Sequence, residues 1–300
     1  MCGNNILNTF VAQVMKLKLK QKIAIQLYKT KFKAISLISN KKAAESLFKL
    51  FCTPYSGKPK RKEPPFFKKA KTIDILFEGM TVRGWQWIPA NCNGSKVLVV
   101  HGFDSCSYKS ESIINKLYLS GYEVLAFDAP GHGISDGKTI NAKQFSECII
   151  DIDKKFGTLY AIVAHSFGGM ATALAIEKDL QNVERLVLIA PATETRRAID
   201  NFFDFLKMPL KLKPEIDNII KGLSGKDVSY FSVARAVENI TTKTLWIHDK
   251  KDFICPFEDV IPVQKKNLPH VQFHITSGLG HNAIYRNQNV LQKIAFFLYE

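Results

Sequence analysis

After Thr72, short runs of consecutive apolar residues alternate with longer amphipathic stretches. An apolar run of roughly four to eight residues is typical of a buried strand, whereas apolar spacings of three and four predict a helix. Strands are predicted at 73–77, 82–88, 96–100, 122–127, 159–164, 183–189, 244–248 and 271–275. Helices are predicted at about 111–120, 142–156, 257–266 and 284–299, with another in the Gly- and Ala-rich run that follows a sharp turn at Ser166. This alternation indicates an α/β fold with a mostly parallel central sheet flanked by helices.

Two stretches interrupt the alternation. Residues 192–240 contain a strongly apolar helical pattern and predict a small helical cap insertion. Arg196 and Arg197 at its start can meet an anionic substrate group, although a solvated cap helix is the preferred interpretation. Residues 1–50 are helical in pattern, and 52–71 form a basic connector that contains proline. We therefore predict a basic helical N-terminal extension over 1–71 and an α/β domain over 72–300 that carries the cap.

The positive charge of the chain lies in this extension. Residues 1–71 contain 17 Lys and Arg but only 2 acidic residues, so their net charge of +15 equals that of the whole chain. Residues 72–300 contain equal numbers of basic and acidic residues, so the net charge of the chain indicates nothing about the substrate. A basic amphipathic helix can pack on the protein body or lie on an anionic membrane surface. We expect no nucleic-acid partner, because Arg61 is the only arginine of the extension and no nucleic-acid motif occurs.

The cysteines and the N-terminal sequence indicate the cellular compartment of the protein. The six cysteines are scattered without a C-x-x-C pair, which favours reduced thiols. No run approaches the roughly 18 apolar residues that a membrane span needs. A signal peptide fits poorly, because the first lysine is Lys16, after an apolar patch broken by polar residues. We predict a cytoplasmic protein whose basic N-terminal helix is a candidate for peripheral membrane contact.

The sharpest local signal is a serine between a predicted strand and a helix rich in glycine and alanine. Residues 164–168 spell A-H-S-F-G, which is the nucleophile-elbow pattern G-x-S-x-G with alanine in place of the first glycine. Such a turn holds the hydroxyl of Ser166 above the sheet, and small neighbours let strand and helix approach each other. Ser166 is therefore a candidate nucleophile.

Acyl transfer by a serine also requires a base, an acid that orients the base, and donors for the oxyanion. In a parallel sheet these groups belong at the carboxyl ends of strands. Asp249 and Asp252 follow the strand that ends at His248, and His281 follows the last predicted strand. The order Ser, Asp, His is the one associated with the elbow turn. Spacing alone does not separate Asp252 from Asp249 as the acid.

The chain resembles the α/β-hydrolase family, in its esterase and lipase-like branch, from about Thr72 to Glu300. The resemblance rests on four motifs, which are H-G-F at 101–103, D-x-P-G-x-G-x-S at 128–135, the elbow at 164–168, and H-x-x-x-D-x-x-x-P at 248–256 with Gly280-His281 after it. In the fourth motif Asp249 replaces a usual Gly and Cys255 a usual Val. The resemblance implies that Asp252 is the triad acid and that the backbone N–H groups of Phe103 and Phe167 form the oxyanion hole.

These features predict a serine hydrolase that cleaves a carboxylic ester or thioester of a small-molecule acyl substrate through an acyl-enzyme. One alternative is a catalytically silent binding protein with the same fold. Another is a peptidase or C–C bond hydrolase with the same triad. Ser166 argues against the dehalogenases and epoxide hydrolases of this fold, which have Asp at the elbow. We expect no cofactor and no metal, because neither G-x-G-x-x-G nor a cluster with ligand spacing occurs. No feature specifies the oligomeric state.

Overall fold

The computed structural model of the protein describes residues 19–58 and 61–300. Within them lies one eight-stranded sheet with the strand order β1-β2-β4-β3-β5-β6-β7-β8. The strands are β1 (Lys71–Phe77), β2 (Met80–Trp87), β3 (Lys96–Val100), β4 (Glu123–Phe127), β5 (Ala161–His165), β6 (Arg185–Ile189), β7 (Lys243–Asp249) and β8 (Val271–Thr276). β2 is antiparallel to both β1 and β4, and all other neighbours are parallel. This confirms the predicted mostly parallel sheet.

The helices follow the predicted pattern. They are α1 (Leu19–Ile38), α2 (Asn40–Phe51), α3 (Glu111–Leu119), α4 (Ala142–Phe156), α5 (Phe167–Lys178), α6 (Thr195–Leu206), α7 (Lys213–Ser224), α8 (Val233–Ala236), α9 (Ile261–Lys265), α10 (Gly280–Ala283) and α11 (Gln288–Tyr299). The helix predicted over 257–266 is instead a 3-10 turn followed by the short α9, since Pro262 lacks an N–H and fits only a first helical turn. Residues 1–18 of the predicted N-terminal helical stretch lie outside the described residues.

The order of the strands sets a topological switch point between β3 and β5. From β3 the chain first adds β4 on one side and later β5 on the other. The connections that leave the carboxyl ends of β3 and β5 therefore run in opposite directions along the sheet. Such a topological switch point is where open α/β sheets bind ligands. Residues 97–100 of β3 and 161–164 of β5 are aliphatic and buried, which explains their continuous apolar sequence. The segments that follow them are 101–103 and the turn at Ser166.

The described residues divide into two compact units. Residues 19–52 and 194–230 form the first, which contains α1, α2, α6 and α7. In this unit the ring of Phe51 packs edge-on against Phe202 at 5.3 Å, and Nη2 of Arg196 lies 2.8 Å from each carboxylate oxygen of Asp217. That ion pair agrees with the interpretation of Arg196 as part of a solvated helix. The boundary predicted at residue 71 stays a prediction.

The second unit comprises the sheet and the helices on its faces, from residues 53–58, 61–193 and 231–300. Its core is formed by apolar side chains from the inner strands and from α3 and α11. No helix in the described part of the chain is both long enough and apolar enough to cross a membrane.

Candidate active site

Ser166 sits in a strained turn between β5 and α5. Its φ of 55° and ψ of −123° lie in a region that non-glycine residues rarely adopt. The turn is held by β6 and the residues after it, because Ser166 N–H donates to Ile189 O and Ser166 O accepts from Ala192 N–H, each at 3.0 Å. Such strain persists only where the surroundings fix it, and it is typical of functional sites. The structure thus has the predicted elbow.

Two glycines allow the elbow to approach the end of β3. A Cβ atom on Gly168 would lie 2.4 Å from the backbone oxygen of His101. A Cβ atom on Gly102 would lie 2.9 Å from Cβ of Ser166 and 3.1 Å from Nδ1 of His165. These distances are too short for any side chain, so the sequence needs glycine here to bring the two segments together.

The structure brings Ser166, His281 and Asp252 into one hydrogen-bonded chain. His281 Nδ1 lies 2.8 Å from Asp252 Oδ2, and His281 Nε2 lies 3.0 Å from Ser166 Oγ. A carboxylate can only accept, so the imidazole proton is on Nδ1, and Nε2 is left to accept from the serine hydroxyl. All three residues are buried. This is the geometry of a serine whose proton can be removed by histidine.

The turn after β7 fixes the carboxylate of Asp252. Its Oδ1 accepts hydrogen bonds from the N–H groups of Ile254 and Cys255, both at 2.9 Å. His248, at the end of β7, lies with Nε2 2.8 Å from the backbone oxygen of Cys255, and its Nε2–H donates to that oxygen. The second oxygen of Asp252 is therefore aimed at His281 by a rigid turn.

Asp249, the other candidate acid, has different partners. Its carboxylate accepts from Thr276 Oγ1 at 2.7 Å and from the N–H groups of Gly278 at 3.1 Å and Leu279 at 2.9 Å. Burial acts to raise the pKa of Asp249, but the hydrogen bonds from Thr276 and Leu279 outweigh it and lower the pKa to about 2. Asp249 thus ties the loop before His281 to the end of β7, and Asp252 is the one that contacts His281.

Phe103 and Phe167 lie close together beside the elbow, with their rings edge-on at 5.7 Å. Phe167 is the first residue of α5, where backbone N–H groups have no partner within the helix. The loop that carries Phe103 is fixed by its neighbour Asp104, whose carboxylate accepts from Ser56 N–H at 2.8 Å and whose N–H donates to His132 at 3.0 Å. The role of the two N–H groups as oxyanion donors stays a prediction.

His165 helps to hold His281 in place, a contact that the sequence did not reveal. Its Nε2 lies 3.0 Å from the backbone oxygen of His281, and its ring packs 4.7 Å from the His281 ring and 4.6 Å from Tyr285. Burial lowers the pKa of His165 well below its usual value, so His165 is neutral and donates that hydrogen bond. Its position next to Ser166 was the only signal, because spacing does not show which carbonyl the ring meets.

His101 and His132 support backbone turns rather than chemistry. His101 Nε2 accepts from Ala129 N–H at 3.0 Å, and His132 Nε2 accepts from Asp104 N–H at 3.0 Å. Burial lowers the pKa of each imidazole to about 4. The histidines of the H-G-F segment and of the 128–135 loop are thus neutral acceptors that join the loops after β3 and β4.

These two histidines predict a pH dependence of stability. Their pKa values are about 4 when folded but about 6.5 when unfolded, so between these limits the unfolded chain binds more protons. The free energy of unfolding should therefore fall as pH drops from about 6.5 to about 4, by on the order of 3 kcal/mol for each histidine. Urea unfolding at pH 7, 6, 5 and 4 measures this. The variant His101→Gln/His132→Gln, which cannot titrate there, should have a shallower slope; an unchanged slope would contradict the assignment.

In the part of the chain that the structure describes, no group of three or more His, Cys, Asp or Glu residues is placed to hold a metal ion. The expectation of a reaction without metal or cofactor stays a prediction.

Comparison with known proteins agrees with this architecture. Residues 92–227 match the family model described as serine aminopeptidase, S33. The Pyrococcus furiosus esterase Pf2001 is similar in structure, with a TM-score of 0.61 and 19% identity over 81% of this chain and 96% of that one. A thioesterase domain from the curacin biosynthetic pathway has a TM-score of 0.56 and 17% identity over 77% of this chain and 99% of that one. At these identities the structural likeness extends to the fold alone.

The sheet order and the strained turn at Ser166 are those of the α/β-hydrolase fold, which the structural neighbours share. The matched family model covers residues 92–227 of this fold.

Proposed function

We propose that the protein is a serine hydrolase that cleaves a carboxylic ester or thioester of a small-molecule acyl substrate. The observation that carries this proposal is the unbroken hydrogen-bonded chain from Asp252 through His281 to Ser166, with distances of 2.8 and 3.0 Å. Packing alone does not require a buried serine to contact a histidine that is itself oriented by a buried carboxylate. The structural neighbours described as an esterase and a thioesterase support the same reaction class.

In the first half of the proposed reaction, His281 Nε2 takes the proton of Ser166 Oγ as that oxygen attacks the acyl carbonyl carbon. Asp252 stabilises the imidazolium that forms. The backbone N–H groups of Phe103 and Phe167 donate to the oxyanion of the tetrahedral intermediate. When this intermediate collapses, the bond to the leaving alcohol or thiol breaks and His281 returns its proton to that group. The product is an acyl ester on Ser166.

In the second half, water attacks the acyl-enzyme with His281 again as general base. The carboxylic acid leaves, and the proton returns to Ser166 Oγ. Every proton in this scheme is carried by His281, whose position depends on its ring bond to Asp252 and on the bond from His165 to its backbone oxygen.

A peptidase is the second candidate, because the matched family model is described as a serine aminopeptidase. It would use the same side chains on an amide bond. A panel of p-nitrophenyl esters, acyl thioesters, aminoacyl anilides and diketones separates the reaction classes. Turnover of anilides without turnover of esters would replace the ester proposal by the peptidase.

Reaction with a fluorophosphonate tests whether Ser166 is an activated nucleophile. We expect one adduct per chain in wild type, none on Ser166→Ala, and at least about a hundredfold slower labelling of His281→Ala, since general-base catalysis contributes about 10²–10⁴. Intact mass spectrometry measures the adduct. Ser120→Ala is the matched control, because Ser120 is an exposed serine at the end of α3 and should not affect labelling.

The alternative of a catalytically silent binding protein makes the opposite prediction. A folded wild-type chain that takes no adduct, or a Ser166→Ala variant that is labelled as fast as wild type, would contradict the proposed nucleophile. Far-UV circular dichroism of each variant shows that it is folded.

A further inference from the structure

Helix α1 exposes an apolar stripe. Ile23, Leu27, Ala34 and Ile38 are separated by four, seven and four residues, which places them on one face of the helix. The exposed fractions are 51% for Ile23, 67% for Leu27 and 87% for Ile38, and Ala34 is also exposed. At 1.5 Å per residue the stripe is about 22 Å long. We call these four residues the α1 stripe.

The buried face of α1 lies opposite this stripe. Phe32 is 1% exposed and Ser36 is 7% exposed, and α1 contacts α2 and α6 within its unit. At 100° per residue, Phe32 points away from Leu27 and Ile38. Packing among the described residues therefore accounts for one apolar face of α1 and does not account for the other.

The charged residues of α1 and of the first turn of α2 are all lysines. Lys31 and Lys33 are exposed on the two flanks of the stripe, and Lys41 and Lys42 are exposed at the start of α2. The first acidic residue in the sequence is Glu45, so the 44 residues before it contain nine lysines and no carboxylate. An apolar line on a helix whose charged residues are all lysines is complementary to a surface with anionic groups above an apolar layer.

We propose that the α1 stripe binds anionic phospholipid membranes. Ile23, Leu27 and Ile38 enter the boundary between headgroups and acyl chains, and the lysines contact lipid phosphates and carboxylates. Apolar contacts and cation attraction together are the two sources of affinity for helices that lie in a membrane surface. Nucleic acid offers the phosphates but no apolar layer for Leu27 and Ile38, so the stripe favours lipid.

Flotation of the full chain with lipid vesicles tests this. We expect wild type to float with phosphatidylcholine vesicles that contain phosphatidylserine, and to bind pure phosphatidylcholine vesicles at least about tenfold more weakly. Leu27→Ser/Ile38→Ser keeps the charge and should bind anionic vesicles at least about tenfold more weakly than wild type. Lys31→Gln/Lys33→Gln should also lose about tenfold or more. Gln26→Ser, an exposed change outside the stripe, is the matched control and should bind like wild type.

Two further measurements separate membrane binding from other occupants of the stripe. Thermal unfolding and sedimentation of Leu27→Ser/Ile38→Ser should match wild type, because the stripe is exposed. A lower Tm with unchanged flotation would mean that another part of this chain covers the stripe, and a loss of dimer would mean that a second copy does. Either result, or equal flotation of all variants, overturns the proposal. Fluorophosphonate labelling should be the same in every variant, so the outcome is independent of the proposed hydrolase.

Discussion

Asp252→Asn is expected to lower kcat for ester hydrolysis by about 10⁴, the loss that the equivalent change causes in a Ser-His-Asp protease. The side-chain amide would donate to Nδ1 of His281, so the ring proton would move to Nε2. Nε2 could then no longer accept the proton of Ser166. Steady-state kinetics on the best ester of the substrate panel measure the loss, and the shape of the side chain is nearly unchanged.

Asp249→Asn is the matched control for this change. It alters the other buried carboxylate of the same turn, and that carboxylate bonds to Thr276, Gly278 and Leu279 instead of His281. We expect it to cost about 1–3 kcal/mol in the free energy of unfolding, for weakened hydrogen bonds to a buried charge, with a far smaller loss in kcat than Asp252→Asn. A larger kcat loss for Asp249→Asn, with both variants folded, would reverse the assignment of the acid.

Gly168→Ala is expected to destabilise the protein by about 3 kcal/mol or more and to abolish fluorophosphonate labelling. The added methyl carbon would lie 2.4 Å from the backbone oxygen of His101 and 3.1 Å from that of Val100. Backbone atoms of β3 and its loop cannot move aside as a flexible side chain does. The strain must therefore displace either the end of β3 or the elbow. Urea unfolding measures the stability change.

Gly222→Ala is the matched control for this prediction. Gly222 lies inside α7, and an added Cβ there would meet no atom within 4 Å. Alanine should stabilise this helix by about 0.5–1 kcal/mol, because glycine loses more backbone entropy on folding. Stabilities that change by the same amount in the two variants would contradict the close approach at Gly168.

The sheet was predictable because its inner strands are buried on both faces. The run 97–100 is continuous and apolar, and β3 has the predicted bounds, 96–100. Helix α4 has its predicted bounds, 142–156, where Asn141 and Gln144 form a capping box and Gly157 ends the helix. Where the signal is weaker the boundaries differ, as at the start of α11, which the sequence placed at 284 and which begins at Gln288.

The site was predictable to the extent that strand ends carry it. The loop positions of Ser166 and His281 follow from the apolar runs before them. The partner of His281 does not, since Asp249 and Asp252 follow the same strand three residues apart and only the turn decides which one faces the ring. The bond from His165 to the backbone of His281 spans 116 residues, and such a contact leaves no trace in local spacing.

The first compact unit is assembled from two stretches of chain that are far apart in sequence. Leu47 and Phe51 of α2 line the same small apolar space as Ile199 and Phe202 of α6. On a ribosome that adds about 5–20 residues per second, the second stretch appears roughly 10–30 s after the first. During that interval the apolar side chains of the nascent N-terminal helices lack these partners. They must avoid binding to other chains or to a nearby lipid surface until the second stretch emerges.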